Sequence, residues 1–156
     1  MRRAIGRLFI GVAITAIAMY GANNSIGTWK RNISKSTTTP PTTNPIKSLT
    51  LVYEAADGGV KMTATGERQD GTKINGGYTA KYDGKECPVT GTTWDTTSLK
   101  QIDASTFTFE NKKTGGKYHV TGRTVISKDG KTMTTTTKGT NSEGLPTTGT
   151  AVYDRQ

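Results

Sequence analysis

The sequence predicts an all-β protein, an up-and-down antiparallel meander closed into a barrel of eight to ten strands. Turn signals of the Asp-Gly and Gly-Gly type recur about every 10 to 15 residues after Lys47. Between these turns apolar and polar residues alternate with a period of two. The chain has 31% hydrophobic residues and thirty-one threonines, a composition that favours sheets over helix bundles.

The N-terminus has the layout of a secretory signal peptide. Three arginines among the first seven residues form a positive region, and an apolar run of about fifteen residues follows from Leu8 to Ala22. That run is shorter than the roughly 20 residues that a spanning helix needs, and it offers cleavage sites after Ala18 or Ala22. We therefore expect residues 1–22 to direct the protein to the periplasm or beyond, with no membrane span after cleavage. An uncleaved signal anchor is the alternative.

The positive charge of the chain is partly a property of this leader. Without residues 1–22 the chain keeps 18 basic and 12 acidic side chains, so its formal charge falls from +9 to +6. The remaining charges are spread along the sequence, which is typical of a solvated surface rather than a nucleic-acid footprint. We expect no nucleic-acid partner.

Cys87 is the single cysteine, so an intramolecular disulfide is excluded.

The turns divide the remaining domain, residues 23–156, into strands. Ten strands are predicted, at 27–34, 48–56, 59–68, 72–82, 85–90, 96–102, 105–112, 117–127, 131–139 and 147–154. The stretch 36–46, STTTPPTTNPI, is predicted to be an extended loop because its prolines do not fit a central strand. A long meander with one solvent-exposed face must bury its apolar face and pair its two edge strands. Closing the sheet into a barrel does both.

The alternation also indicates which side chains face the interior. In VKMTATG, Val60, Met62 and Ala64 share one face, and lysine and threonine occupy the other. The large inward side chains are candidates for the lining of a ligand cavity, which needs apolar walls and a few polar groups. They are Tyr53, Met62, Tyr78, Phe107, Phe109, Tyr118 and Tyr153. Alternatively, these side chains simply fill the barrel.

Three of the inward positions are glycines, and Arg123 follows one of them. Gly66, Gly76 and Gly122 either leave space inside the barrel or mark bulges in its wall. Strict alternation from Tyr118 places Arg123 outside. A one-residue bulge at Gly122 would instead turn Arg123 inward, where it could pair with an acidic head group.

The chain resembles a family of small exported bacterial proteins described as lipocalin-like, which belongs with lipocalins and fatty-acid-binding proteins in the calycin superfamily. The resemblance rests on GTWKRNISKS, TLVYEAADGGVKMTATGERQDG, YTAKYDGKECPVTG and VISKDGKTMTTTTKGTNSEG. It implies that Trp29 closes one end of the barrel, that Arg155 packs across its indole, and that Gly27 permits close backbone approach. Alternatively, Trp29 is an ordinary core aromatic.

Two departures limit what the resemblance implies. Fatty-acid-binding proteins carry two short helices between their first two strands, whereas this chain has the Thr/Pro stretch, so we expect no helical lid. Those proteins also hold a carboxylate with an Arg-x-Tyr in the last strand, and here Ala151 stands in place of the arginine before Tyr153.

We expect a carrier of a small apolar molecule such as a lipid or fatty acid. A filled barrel acting as a structural module of the cell envelope is the alternative.

Catalytic and metal-binding patterns find little support in the sequence. His119 is the only histidine and falls on a wet face, while Cys87 precedes a proline with no activating group nearby. No histidine or cysteine cluster has metal-ligand spacing. We therefore expect no enzyme activity, no metal and no cofactor.

The threonine run at 132–140 favours a soluble sheet surface, with glycan or ice binding as a weaker alternative.

Overall fold

The computed structural model describes residues 22–156, so the predicted signal peptide lies outside the described residues apart from Ala22. The described part consists of ten β-strands joined by turns and short loops. No helix in residues 22–156 is long and apolar enough to cross a membrane. The strands in chain order are β1 (Gly27–Thr39), β2 (Ile46–Ala56), β3 (Gly59–Arg68), β4 (Lys73–Lys81), β5 (Cys87–Pro88), β6 (Thr96–Asp103), β7 (Thr106–Lys112), β8 (His119–Ile126), β9 (Thr132–Thr140) and β10 (Pro146–Arg155).

The ten strands form one antiparallel sheet in the order β4-β3-β2-β1-β10-β9-β8-β7-β6-β5. Consecutive strands pair, except β4 with β5, and β1 pairs with β10. The two ends of the sheet meet through isolated bridges that join Gly77 to Thr90 and Asp83 to Lys100. The first bridge is reciprocal, with both N···O distances 3.0 Å. The predicted meander barrel is therefore confirmed, in a nearly closed form.

Two glycines allow the sheet to close at this seam. A Cβ atom on Gly76 would lie 2.3 Å from the Thr90 carbonyl oxygen, and one on Gly91 would lie 1.9 Å from the Asn75 carbonyl oxygen. Gly91 also has a φ of +70°, which side chains rarely tolerate. The inward position of Gly76 thus serves close backbone approach and leaves no empty space.

Strand β1 differs from its predicted extent. It continues to Thr39, and residues 37–39 pair with β10 after a register shift that follows Asn32. The expected loop at 36–46 is therefore reduced to residues 40–45. Tertiary pairing explains the difference, because β1 pairs with β2 only through Gly27 to Lys30. Residues 37–39 need a partner on one side alone, and the prolines begin only after the strand has ended.

The other departures from the predicted strands are small. The strand expected at 85–90 is reduced to Cys87–Pro88, because the chain turns there to close the barrel. A bulge between Asn32 and Thr37 interrupts β1, and the Ser36 hydroxyl fills the gap by accepting from Val152 N at 3.0 Å and donating to Asn32 O at 2.7 Å.

Trp29 lies at the end of the barrel where β1 begins, which we call the closed end. Its side chain has 0% exposure and packs with Met133, Ile126 and Phe107 in the main hydrophobic cluster. Its Nε1 donates to the Ser25 carbonyl at 2.7 Å, so the buried indole has no unpaired polar atom. Trp29 therefore combines the largest buried side chain of the barrel with a satisfied hydrogen bond.

Arg155 covers the indole from the outside. Its Cζ atom lies 4.2 Å from the Trp29 ring centroid, within the range of a cation–π contact. The guanidinium donates to three backbone carbonyls, those of Gly130, Ile26 and Asn24, at 2.6 to 2.8 Å. A Cβ on Gly27 would lie 2.6 Å from Arg155 Nη1, and the φ of Gly27 is +134°. The first and last strands thus close this end together.

Candidate ligand-binding site

The barrel encloses a partly open cavity of about 430 Å³ between the closed end and the opposite end. We call the opposite end, which is formed by Thr72, Lys73 and the loop from Gly91 to Trp94, the open end. Six of the residues predicted to line the interior do so: Tyr53, Met62, Tyr78, Phe107, Phe109 and Tyr153. Leu49, Leu51, Val60 and Leu99 are buried residues that also contribute to the apolar wall.

Tyr118 and Arg123 do not line this cavity. Tyr118 precedes β8 and stacks on Trp94, with ring centroids 5.5 Å apart and planes 11° apart. Arg123 is exposed on the outer face of β8, opposite Thr108 and Thr136. The register runs without a shift from β7 through β9, so the bulge that would have turned Arg123 inward is absent from these strands.

The space beside Gly122 is filled by an aromatic ring. A Cβ atom on Gly122 would lie 2.2 Å from Phe109 Cζ, because the two residues are direct partners across β7 and β8. The glycine therefore lets the Phe109 ring lie against the barrel wall. In this position the ring lines one side of the cavity.

Arg31 is the functional candidate that the sequence reasoning missed. It pairs directly with Tyr153 across β1 and β10, and its Cζ atom lies 5.9 Å from the Tyr153 ring centroid. It is also the first residue of β1 beyond Lys30, where pairing with β2 stops. Its half-buried side chain lines the cavity. The signal was present in the sequence, because a period of two from the inward Trp29 places Arg31 inward.

The guanidinium of Arg31 has no anionic partner in the described part of the chain. No carboxylate of residues 22–156 lies within 4.0 Å of it. The cavity wall also contains Arg68 and Lys73, but Arg68 donates to the Asn44 carbonyl and Lys73 pairs with Glu67. None of the described lining residues is Asp, Glu, His or Cys. The interior is therefore apolar and electropositive.

Four tyrosines add phenol groups to the lining, beside threonine hydroxyls and one asparagine amide. Burial raises the pKa of Tyr53 well above its usual value, and the neighbouring Tyr78 and Tyr153 add to that increase. Burial likewise raises the pKa of Tyr78, and that of Tyr153 despite the opposing charge of Arg31. These phenols are therefore neutral hydrogen-bonding groups at physiological pH. They can donate to or accept from a ligand without carrying charge.

Trp94 stands at the open end and was not predicted as a site residue. It follows the short β5 in a loop, where no periodic pattern indicates its direction. Its Nε1 is buried without a hydrogen-bond partner among the described residues. Tyr118, stacked on it, has its pKa raised to about 12 by burial. Trp94 therefore lines the open end, and Tyr118 packs against it.

The groups that line the cavity are cations, phenols, hydroxyls, one amide and apolar side chains, and the described lining residues include no carboxylate and no imidazole. Within residues 22–156 no group of three or more His, Cys, Asp or Glu side chains could hold a metal ion. The residues present can bury an apolar body and hold one anionic group.

No family model matches the chain, and no curated protein matches it. Two similar solved structures are described as EF1p2_mFAP2b bound to DFHBI and as a redesigned beta barrel, mFAP1, bound to DFHBI. The first is 11% identical with a TM-score of 0.47 and covers 85% of this chain and 94% of its own. The second is 16% identical with a TM-score of 0.41 and covers 85% and 95%. The functional argument therefore rests on the cavity itself.

Proposed function

We propose that the protein binds a small, largely apolar molecule with an acidic head group inside its barrel, such as a fatty acid or a similar lipid. The observation that carries this proposal is Arg31, a half-buried cation that lines an apolar cavity and has no carboxylate partner in the described chain. Withdrawing a charge from water is costly unless an opposite charge accompanies it. A ligand carboxylate supplies that charge.

The geometry around Arg31 suits a carboxylate. A guanidinium presents planar donors that match the two oxygens of a carboxylate, and such charge-assisted hydrogen bonds are strong. Tyr153 lies directly opposite on β10 and adds a neutral phenol to the same region. In this arrangement the arginine comes from β1, whereas fatty-acid-binding proteins carry it in the last strand, where this chain has Ala151. The proposed carboxylate site is thus formed by Arg31 and Tyr153 on two neighbouring strands.

The size and lining of the cavity support a ligand over a filled barrel. A volume of about 430 Å³ lies within the range of small-molecule sites, which runs from roughly 300 to 1,000 Å³. Burying the apolar part of a ligand against leucine, methionine and aromatic side chains contributes roughly 25 cal/mol per Å² removed from water. Because of this volume we favour a carrier over a structural module with no ligand.

We also propose that the protein acts outside the cytoplasm as a lipocalin-like carrier. This part rests on the sequence, namely the signal-peptide layout of residues 1–22 and the resemblance described above. An exported carrier would move an amphipathic molecule through an aqueous compartment, with its apolar part shielded from water.

A probe titration with a matched pair of variants tests ligand binding in the cavity. Ala64 faces the interior and lines the cavity, whereas Thr63 precedes it on the outer face of β3. We expect Ala64→Phe to abolish binding of a fluorescent fatty-acid probe and Thr63→Phe to leave it unchanged. Organic-solvent extraction of the purified protein would look for a bound lipid. Equal probe binding by the two variants, or no saturable binding by the unaltered protein, would refute the proposal.

A further inference from the structure

A second concave surface lies on the outside of the barrel. It is a groove of about 500 Å³ across β6, β7, β8 and β9, lined mainly by outward side chains. We call it the outer groove. Cross-strand pairing places Lys100, Thr108, Arg123 and Thr136 in one row, and Ser98, Glu110, Thr121 and Lys138 in the next. It is separate from the ligand cavity, because the barrel wall lies between them.

Three cations line the outer groove without anionic partners. Lys100, Arg123 and Lys138 are exposed, and none has a carboxylate within 4.0 Å among residues 22–156. The one carboxylate of the groove, Glu110, is already engaged by His119 at 2.5 Å and by a lysine on its own strand. These two contacts hold the pKa of Glu110 below its usual value. The lining of the groove therefore carries a net positive charge, and Asp103 lies within electrostatic range of Arg123.

Threonine hydroxyls continue the rows of the groove across the neighbouring strands. Thr136 on β9 is followed by Thr150 on β10 and Thr37 on β1, in direct cross-strand register. The next row continues from Lys138 through Thr148 and Thr39. Neighbouring strands are about 4.8 Å apart, so hydroxyls recur at that interval next to the cations. The sequence scatters these threonines over a hundred residues, and only the pairing unites them.

We propose that the outer groove binds an anionic polysaccharide. The three cations suit carboxylate or sulfate groups, and the adjoining threonines can both donate to and accept from sugar hydroxyls. Single-stranded nucleic acids are commonly held by exposed aromatic side chains on which the bases stack, and the exposed large hydrophobic residues of the described chain include no aromatic. An element that lies in a bilayer surface inserts protruding apolar side chains, whereas this groove is recessed and its outward side chains are charged or carry hydroxyls.

The test uses the full chain and a short oligogalacturonate as probe, with neutral dextran, single-stranded DNA and anionic vesicles as comparisons. We expect saturable binding of the oligogalacturonate, weakened by added salt, and a roughly tenfold loss in the double variant R123A/K138A. The matched control, K128A/K131A, removes the same charge from the turn between β8 and β9 and should bind as before. Thermal unfolding would verify that both variants fold.

The hydroxyl rows provide a second readout. Thr136→Val and Thr150→Val remove hydroxyls without changing charge or approximate shape. Together they should weaken oligogalacturonate binding several-fold and leave any residual binding of single-stranded DNA unchanged. Equal losses in the two charge-removing double variants would overturn the proposal in favour of non-specific attraction. Tighter binding to DNA or to vesicles than to the oligogalacturonate would also overturn it.

Discussion

Replacing Trp29 with alanine should destabilise the barrel strongly, because this side chain closes one end of it. The indole has 0% exposure, is hydrogen bonded through Nε1 and is covered by the Arg155 guanidinium at 4.2 Å. Truncating a fully buried tryptophan costs about 3 to 5 kcal/mol of unfolding free energy. A domain of this size has a total stability of about 5 to 15 kcal/mol, so the loss would be a large fraction of it.

Urea unfolding followed by circular dichroism would measure this loss, with Trp94→Ala as the control. Trp94 is the other tryptophan, lies at the open end and is only partly buried, so its removal should cost about 1 to 2 kcal/mol. A double-mutant cycle with Arg155→Ala should give a coupling energy of about 0.5 to 2 kcal/mol with Trp29. A loss below about 1 kcal/mol for Trp29→Ala would refute the role of this residue as the closure.

Three further predictions concern the wall of the barrel and its titration. Gly122→Ala should displace the Phe109 ring into the cavity, lower the unfolding free energy by about 1 to 3 kcal/mol and weaken fatty-acid-probe binding; unchanged stability and binding would contradict the packing. The pKa of Glu67 is lowered to about 2, chiefly by Lys73, so its stabilising effect is present above about pH 4.5 and is lost as pH falls towards 2. Urea unfolding should therefore find Glu67→Gln less stable than the unaltered protein near about pH 6 and equal to it near about pH 2. The pKa of Tyr118 is raised to about 12, so tyrosinate absorbance should show an ionisation there that Tyr118→Phe removes, and stability should fall as pH rises from about 10 towards 12.

Local sequence patterns were sufficient for the strands and for much of the interior. Asp-Gly turns and the period of two predicted ten strands in nearly their observed positions, because each hairpin is determined by residues close in the chain. The same alternation predicted most of the large residues in the cavity wall. The end of β1 was missed, because its pairing with β10 is a contact between the two ends of the domain.

The site was harder to predict, for reasons that differ between residues. Arg31 shares the inward face of Trp29 by the period of two. It was missed because a charged residue in a strand is ordinarily assigned to the solvent-exposed face. Trp94 carries no periodic signal, since its direction depends on how the barrel closes at Gly77 and Thr90. Tyr118 lies on the inward face but ends against Trp94, a contact between loops that no local pattern indicates.

The central claim is that the cavity holds an amphipathic ligand whose acidic head binds Arg31. Isothermal titration of a long-chain carboxylic acid and of the corresponding alcohol, into the unaltered protein and into Arg31→Met, tests it most directly. We predict that the unaltered protein binds the acid roughly 10- to 100-fold more tightly than the alcohol, and that Arg31→Met removes this preference while still binding both. Equal affinities in the unaltered protein, or a preference for the acid that persists in Arg31→Met, would contradict the claim.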